Sequence, residues 1–417
     1  MRLKNLFLPA DGRLLFISRT VRLFAYGFIA TILVIYLAEI GLSNNQIGLL
    51  LALTLIGDAA ISLWLTTVAD RVGRKKMLVL GAFLMIFAGG LFASTSHIDL
   101  LIVAAILGVI SPSGNEVGPF LAIEQAALSQ VVTEQMRTKV FAWYNLVGSL
   151  ATAFGALCSG AGVQLLQKAG FTLLSSCRVA VVSYAVFGFI LLSVFYFLSS
   201  NIEVRKNNPP ANPFPRLCRW LGLRHSTGMV VKLSLLFALD ALGGGFVMQS
   251  IVSYWFHIRF GAEPLFLGGI FWGANMLAGF SGLIAAKMAA RIGLIKTMVF
   301  THVPSNVLLI LVPLMPNVFL AVAVLLLRFG VSQMDVPTRQ SYTMAVVSPD
   351  ERSAASGITN VARTLGASIS PLLIAPLFGS AVTLRIAFFA AGGLKLAYDF
   401  LLYQGFQKIK PMEEKQA

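Results

Sequence analysis

Asp58, Glu116, Asp240, Arg328, Asp335, Arg339, Lys395 and Asp399 all lie inside long apolar runs of this chain. A charge in such surroundings is costly, so each of these residues is a candidate for function. Asp58 and Asp240 have no cation within one helical turn along the chain. A carboxylate isolated in a medium of low dielectric is suited to taking up and releasing a proton. Glu116 sits in "SPSGNEVGP", among Pro112, Gly114, Gly118 and Pro119. That cluster should interrupt or bend a helix and free backbone groups to face a cavity. Asp58, Glu116 and Asp240 are therefore the candidates for proton coupling.

Arg328, Asp335 and Arg339 are spaced by seven and four, which puts them on one helical face. Lys395 and Asp399 repeat the spacing of four. Opposite charges at this spacing are either structural pairs or parts of a binding site. A guanidinium left over from such a pair binds a carboxylate or phosphate in two-point fashion. Arg328, Asp335, Arg339 and Lys395 are accordingly candidates for a substrate site or a gate. Glu124 joins them, because Glu124 and Arg339 have opposite signs and each adjoins a glutamine, Gln125 or Gln340. His302 and Asn306 are four apart, and with Tyr26, Trp143, Tyr144, Trp255, Trp272 and Asn275 they are candidates to line a cavity. Aromatic residues near the ends of spans are commonly interface anchors instead.

Other chemistry is not encoded. Cys158, Cys177 and Cys218 lack metal-ligand or disulfide-framework spacing, and the four histidines are scattered. No metal set, nucleophile–base set or phosphate loop is legible in the sequence. Neither a cofactor nor enzymatic catalysis is expected. "ALGGGF" at 241–246 reads as a helix contact rather than a nucleotide site.

The elements that must position these residues follow from composition. Of 417 residues, 57% are hydrophobic and only 12% charged, where a soluble domain has about 25% charged. Apolar runs of about 20 residues, enough to cross a bilayer, recur along the whole chain. We expect twelve spans: 16–40, 46–69, 77–96, 99–128, 138–164, 175–199, 229–257, 265–289, 297–315, 317–346, 354–378 and 382–404. The first residues lack the cleavage site of a secretory signal, so the first run is expected to be retained as a span. The net charge of +15 is concentrated in alternate loops, among them Arg71, Arg74, Lys75 and Lys76, and Arg205, Lys206, Arg216 and Arg219. This is the positive-inside pattern, and it predicts cytoplasmic termini rather than a nucleic-acid partner.

The chain also repeats itself. Under an offset of 220 residues, Gly41 meets Gly261, Gly48 meets Gly268, Arg71 meets Arg291, Gly73 meets Gly293 and Lys76 meets Lys296. Under an offset of 215, Gln125 meets Gln340, Arg137 meets Arg352 and Asn145 meets Asn360. The polar stretch 201–228, with four prolines, divides a bundle at 1–200 from one at 229–417. Part of that stretch could form an interfacial helix around Phe214, Leu217, Trp220 and Leu221, but a tether is the simpler expectation.

Six plus six helices in parallel repeats resemble the major facilitator superfamily of secondary transporters. The resemblance is sharpest at "ADRVGRKKM", 69–77, which matches the signature G-x-L-A-D-R-x-G-R-[RK]-x-x-L between helices two and three. Ala69, Asp70, Arg71, Gly73, Arg74, Lys75 and Leu78 match, while Thr66 replaces the first glycine. "RFGVSQMD", 328–335, resembles the family's arginine region of helix four, displaced into the second half; the first-half counterpart, "GVISPSGNE", has no arginine. The resemblance implies an all-α membrane protein with twelve transmembrane helices in two pseudo-symmetric six-helix bundles. It implies that Asp70, Arg71, Gly73, Arg74 and Lys75 form a conformational latch, with Asp70 at the N-terminus of helix eleven. Glu124 or Glu134 would be the acidic partner of Arg74. The expected activity is alternating access in the inner or plasma membrane, moving a small organic solute with a proton, in the direction of efflux. The helix-five antiporter motif is only loosely echoed by "LVGSLATAFGALCSG", 146–160, whose Gly148, Gly155 and Gly160 allow close helix packing. Proton-coupled uptake of an anionic metabolite is the alternative, with a lipid scramblase or membrane enzyme more remote. The expected partners are the substrate, a proton and the bilayer, with the protein a monomer.

Overall fold

In lipid every backbone N–H and C=O must be satisfied within the protein, and a helix does this inside one segment. The computed structural model describes residues 9–115, 120–132, 134–203, 226–347 and 352–407, and among them it contains helices and no strands. Fifteen α-helices follow one another. They are α1 (Ala10–Glu39), α2 (Asn44–Val72), α3 (Arg74–Ser94), α4 (Ile98–Leu107) and α5 (Phe120–Val131). Next come α6 (Glu134–Lys168), α7 (Leu173–Tyr196), α8 (Thr227–Phe246), α9 (Gln249–Phe260) and α10 (Pro264–Ile292). The last five are α11 (Leu294–Leu311), α12 (Val318–Ser332), α13 (Asp335–Val346), α14 (Arg352–Ile374) and α15 (Ala381–Phe406). Ten helical stretches among the described residues are long and apolar enough to cross a membrane.

Three of the expected spans are broken helices, which accounts for fifteen helices in twelve crossings. The fourth span stops at Leu107 and resumes at Phe120. The chain from Gly108 to Asn115 is not helical, as the Pro112–Gly114 cluster predicts. The seventh span breaks between Phe246 and Gln249, just after Gly243–Gly245. The tenth breaks between Ser332 and Asp335. Pro337 has no N–H to give to the preceding turn, so it is tolerated only in the first turn of the new helix, α13.

Helix ends follow local chemistry. Ser43 and Gln46 cap the start of α2 reciprocally, the Ser43 N–H donating to Gln46 Oε1 at 2.8 Å and the Gln46 N–H to Ser43 Oγ at 3.4 Å. Thr172, Asn317 and Ser380 accept from the first turns of α7, α12 and α15. Gly41 and Gly261, and Gly73 and Gly293, all have positive φ (86°, 64°, 119° and 86°). The 220-residue offset superposes both pairs, so at these two turns the repeat is one of backbone geometry.

The helices form two compact units. Unit one takes its described residues from Met1–Leu42, Gly57–Pro213 and Pro264–Trp272; unit two takes them from Ser43–Ile56, Phe214–Glu263 and Gly273–Ala417. Segments from the start of α2 and the start of α10 go to the opposite unit, and the 220-residue offset makes those segments counterparts.

In unit one α1 packs on α6, and α3 on α7. In unit two α8 packs on α14, and α11 on α15. Backbones approach closely at glycine: a Cβ on Gly155 would lie 2.0 Å from Phe24 O, and one on Gly366 would lie 2.3 Å from Ala238 O. Large apolar side chains face outwards, among them Phe319 at 75% and Leu235 at 68% exposure, as expected where the solvent is lipid.

Candidate functional site

Each unit buries one charged cluster, and unit one also anchors the basic turn at 69–77. In that turn Gly73, at φ 119°, ends α2 and starts α3. Arg74, Lys75 and Lys76 then occupy the first turn of α3, where cations oppose the helix dipole. Glu203 compensates. Its Oε2 accepts from the Arg74 N–H at 2.7 Å and its Oε1 from the Lys75 N–H at 3.2 Å. Arg74 Nη1 donates to Gln130 Oε1 at 2.7 Å and to Ile202 O at 3.1 Å. Gln130 Nε2 donates to Glu203 O at 2.5 Å. Lys75 Nζ donates to Tyr196 O, the last carbonyl of α7, and to Leu198 O just beyond it, both at 2.7 Å. The side chains of Asp70, Arg71 and Glu134 lie outside the described residues.

Glu124 is not the partner of Arg74. It lies on α5, fully buried, and takes a two-point pair from Arg22 of α1, with Nη1 to Oε1 at 2.7 Å and Nη2 to Oε2 at 2.8 Å. Ser18 Oγ donates to Oε1 at 2.6 Å, and the Tyr144 hydroxyl donates to Oε2. The neighbouring Arg19 stacks 4.3 Å over the Tyr144 ring and donates through Nε to Tyr144 O at 2.9 Å. Glu124 is satisfied inside unit one and Arg339 inside unit two.

The cluster of unit two is larger, and it gathers residues that the sequence separates. Asp240 of α8 is not isolated. Lys395 Nζ of α15 donates to its Oδ1 at 2.6 Å, and Arg339 Nη1 of α13 donates to its Oδ2 at 3.0 Å. Arg339 Nη1 also meets Asp335 Oδ2 at 3.1 Å, as the spacing of four predicts. Lys395 does not pair with Asp399. Asp399 turns instead to α11, where His302 Nδ1 lies 2.8 Å from Oδ1 and Asn306 Nδ2 lies 2.9 Å from Oδ2. His302 Nε2 points back to Asp240 Oδ1 at 3.7 Å. Asp240, Asp335, Arg339, His302, Asn306, Lys395 and Asp399 are all buried.

Two further cations lie within electrostatic reach of Asp240 and Asp335: Arg328 of α12 and Arg363 of α14, both half-buried. The Arg328 guanidinium lies 4.9 Å over the Phe329 ring, and its buried Nε has no hydrogen-bond partner.

The remaining candidates scatter. Asp58 is half-buried on α2, within electrostatic reach of Tyr184 on α7. Glu116 lies outside the described residues. Trp255 packs against Phe388 at 4.8 Å between ring centres and donates to Ala381 O at 3.2 Å, a structural role. Asn275 Nδ2 donates to Gln249 Oε1 at 3.3 Å. Tyr26 is buried, Trp143 half-buried and Trp272 exposed.

Glu203, Gln130 and Arg363 were not foreseen. For Glu203 a signal existed: a helix that opens with Arg-Lys-Lys needs a carboxylate at its N-terminus, and Glu203 is the acid that closes the sixth span. No local signal picks out Gln130 or Arg363.

Similarity to known proteins agrees with this architecture. The chain is 29% identical to the uncharacterized membrane protein YJR124C of Saccharomyces cerevisiae, over 94% of this chain and 93% of that one. A stretch of 85 residues, 20% of this chain and 22% of the other, is 28% identical to the quinolone resistance protein NorA of Staphylococcus aureus. Among solved structures, a bacterial homolog of the human lysosomal transporter Spinster superposes with a TM-score of 0.74 at 14% identity, covering 95% of this chain and 97% of that chain. The family model of the Major Facilitator Superfamily matches residues 15–371. This chain belongs to that superfamily and is an integral, multi-pass membrane transporter of the secondary kind.

Proposed function

We propose that this transporter moves a small organic anion together with a proton. The observation that supports this reading is the charge balance of the buried cluster in unit two. Arg328, Arg339, Arg363 and Lys395 give four cations against the three carboxylates Asp240, Asp335 and Asp399, leaving one in surplus when His302 is neutral. A buried cation surplus in a membrane protein calls for an anion. Arg328 offers a guanidinium whose buried Nε has no hydrogen-bond partner, and a guanidinium recognises a carboxylate or phosphate in two-point fashion. On this reading Arg328 and Arg363 contact solute, while Arg339 and Asp335 shape the site. The protein acts without a cofactor and without catalysing a reaction. It works as a monomer in the plasma or inner membrane with both termini cytoplasmic, by alternating access. Asp70 and Arg71 belong to the latch of that cycle.

Proton-coupled efflux of a drug-like solute is the second reading, favoured by the 85-residue similarity to NorA. The two readings separate in proteoliposomes with an imposed pH gradient. Labelled lactate, succinate and glycerol phosphate serve as anionic probes, and ethidium and norfloxacin as drug-like ones. Accumulation of an anion that is lost in Arg328→Lys at normal membrane level supports the anion reading. Movement of ethidium or norfloxacin alone would reject it in favour of efflux.

A further inference from the structure

We infer that His302, rather than an isolated carboxylate, takes the coupling proton, and that on doing so it displaces Lys395 from Asp240. The inference rests on the proton-coupled reading above and names the group that serves it. Asp240 is held by Lys395 Nζ at 2.6 Å and Arg339 Nη1 at 3.0 Å, so its negative charge is already used. Asp399 accepts from His302 and Asn306. His302 differs from both, because only one side of its ring is engaged at hydrogen-bonding distance.

The network assigns the tautomer. Nδ1 lies 2.8 Å from Asp399 Oδ1 and 3.2 Å from Asn306 Nδ2; with Asn306 donating to Asp399 Oδ2 at 2.9 Å, Nδ1 carries a hydrogen to Oδ1, which leaves the Nε2 lone pair facing Asp240 Oδ1 at 3.7 Å. A hydronium ion gives its proton to that lone pair: one O–H bond breaks, the Nε2–H bond forms, and a neutral water is left. The resulting imidazolium lies between two carboxylates, Asp399 and Asp240. It then competes for Asp240 Oδ1, the same oxygen that Lys395 holds. The other oxygen, Oδ2, stays with Arg339, which is itself fixed by Asp335. Lys395 is the partner that can yield, since its stem is flexible where the guanidinium of Arg339 is anchored twice. Space for the yield exists beside it: Gly244 has no side chain, and a Cβ there would come within 3.8 Å of Lys395 Nζ.

The charged groups around His302 come from every neighbouring element. They are Asp240 on α8, Asp335 and Arg339 on α13, and Lys395 and Asp399 on α15, with Arg328 on α12 and Arg363 on α14 further out. Tyr398 packs edge-on at 5.8 Å between ring centres. Proton entry therefore adds one positive charge to the cluster and releases one ammonium. Both changes strengthen the hold on an anion, which couples the two fluxes.

The proton itself is the probe. Proteoliposomes on a solid-supported membrane receive a pH jump with no solute present, and the transient current of proton entry is recorded. The wild type gives a transient. His302→Gln, at wild-type membrane level and elution volume, falls to the level of empty liposomes. Asp399→Asn keeps the transient but needs a more acidic jump, because the imidazolium has lost its carboxylate. A full transient from His302→Gln overturns the inference and leaves proton coupling standing at another group, such as Asp58. No transient from the wild type overturns the inference and proton coupling together. Should His302→Gln fail to reach the membrane, Asp399→Asn decides: an unmoved midpoint overturns the inference.

Discussion

Glu124 illustrates what a buried charge does when it is fully satisfied. Two nitrogens of Arg22 and the hydroxyls of Ser18 and Tyr144 surround it, and neither Glu124 nor Arg22 is exposed. Removing one partner of such a pair leaves an uncompensated buried charge, at a cost of about 3–5 kcal/mol. Glu124→Gln should therefore lower the melting temperature of the purified protein sharply, and Arg22→Met/Glu124→Met should recover most of the loss. A Glu124→Gln protein that melts like the wild type would show that the pair contributes nothing to the fold. At Asp240, by contrast, three other helices supply competing groups, Lys395, Arg339 and His302, and the arrangement has alternatives. The difference is the kind of partner: Glu124 has one cation and two hydroxyls, whereas Asp240 faces two cations and a histidine from three helices.

At the scale of elements, the start of α3 depends on a residue 129 positions away. Glu203 caps a helix whose own first turn is basic, and loss of a cap costs about 0.5–2 kcal/mol. Glu203→Ala should destabilise by that amount and increase proteolysis within 196–206, read by melting and limited trypsin digestion. A digestion pattern identical to the wild type would exclude the anchor. Gly73→Ala should be harmful for a second reason, because φ 119° is a conformation that side chains rarely adopt. Helix packing gives a sharper test. Gly366→Leu places a branched side chain where even a Cβ would be 2.3 Å from Ala238 O, so α8 and α14 must separate. That variant should be lost from the membrane fraction on a quantitative blot, whereas Gly393→Leu, with nothing within 4 Å of its Cβ, should accumulate normally. Equal levels of the two would refute close packing of this helix pair.

For the whole molecule the basic loops set a testable topology. The 204–225 stretch and both termini are expected on the cytoplasmic side, and Lys168, at the end of α6, on the other. In a variant lacking Cys158, Cys177 and Cys218, single cysteines at Lys206, Lys415 and Lys168 can be labelled with an impermeant maleimide. In right-side-out vesicles Lys168→Cys should react and the other two should not. Reaction of Lys206→Cys and Lys168→Cys from the same side would discard the twelve-span topology, and reaction of Lys206→Cys and Lys415→Cys without Lys168→Cys would invert it.

Much of this protein is legible in its residues one after another. Span number, the signature at 69–77, the broken fourth helix and the paired glycines depend on local hydropathy, on backbone freedom or on the lack of a proline N–H. Each acts within a few residues, so the sequence determines it. The partners of the buried charges do not follow from such rules. Lys395 is four residues from Asp399 and 155 from Asp240, yet it is Asp240 that it binds. Glu124 aligns with Arg339 in the repeat, yet it binds Arg22. A helix fixes only the face on which a side chain emerges. Which carboxylate lies across that face depends on how neighbouring helices pack, and in lipid a charge takes whichever partner that packing brings within hydrogen-bonding distance. Tertiary structure alone could therefore turn His302, one histidine among four, into the bridge between two aspartates.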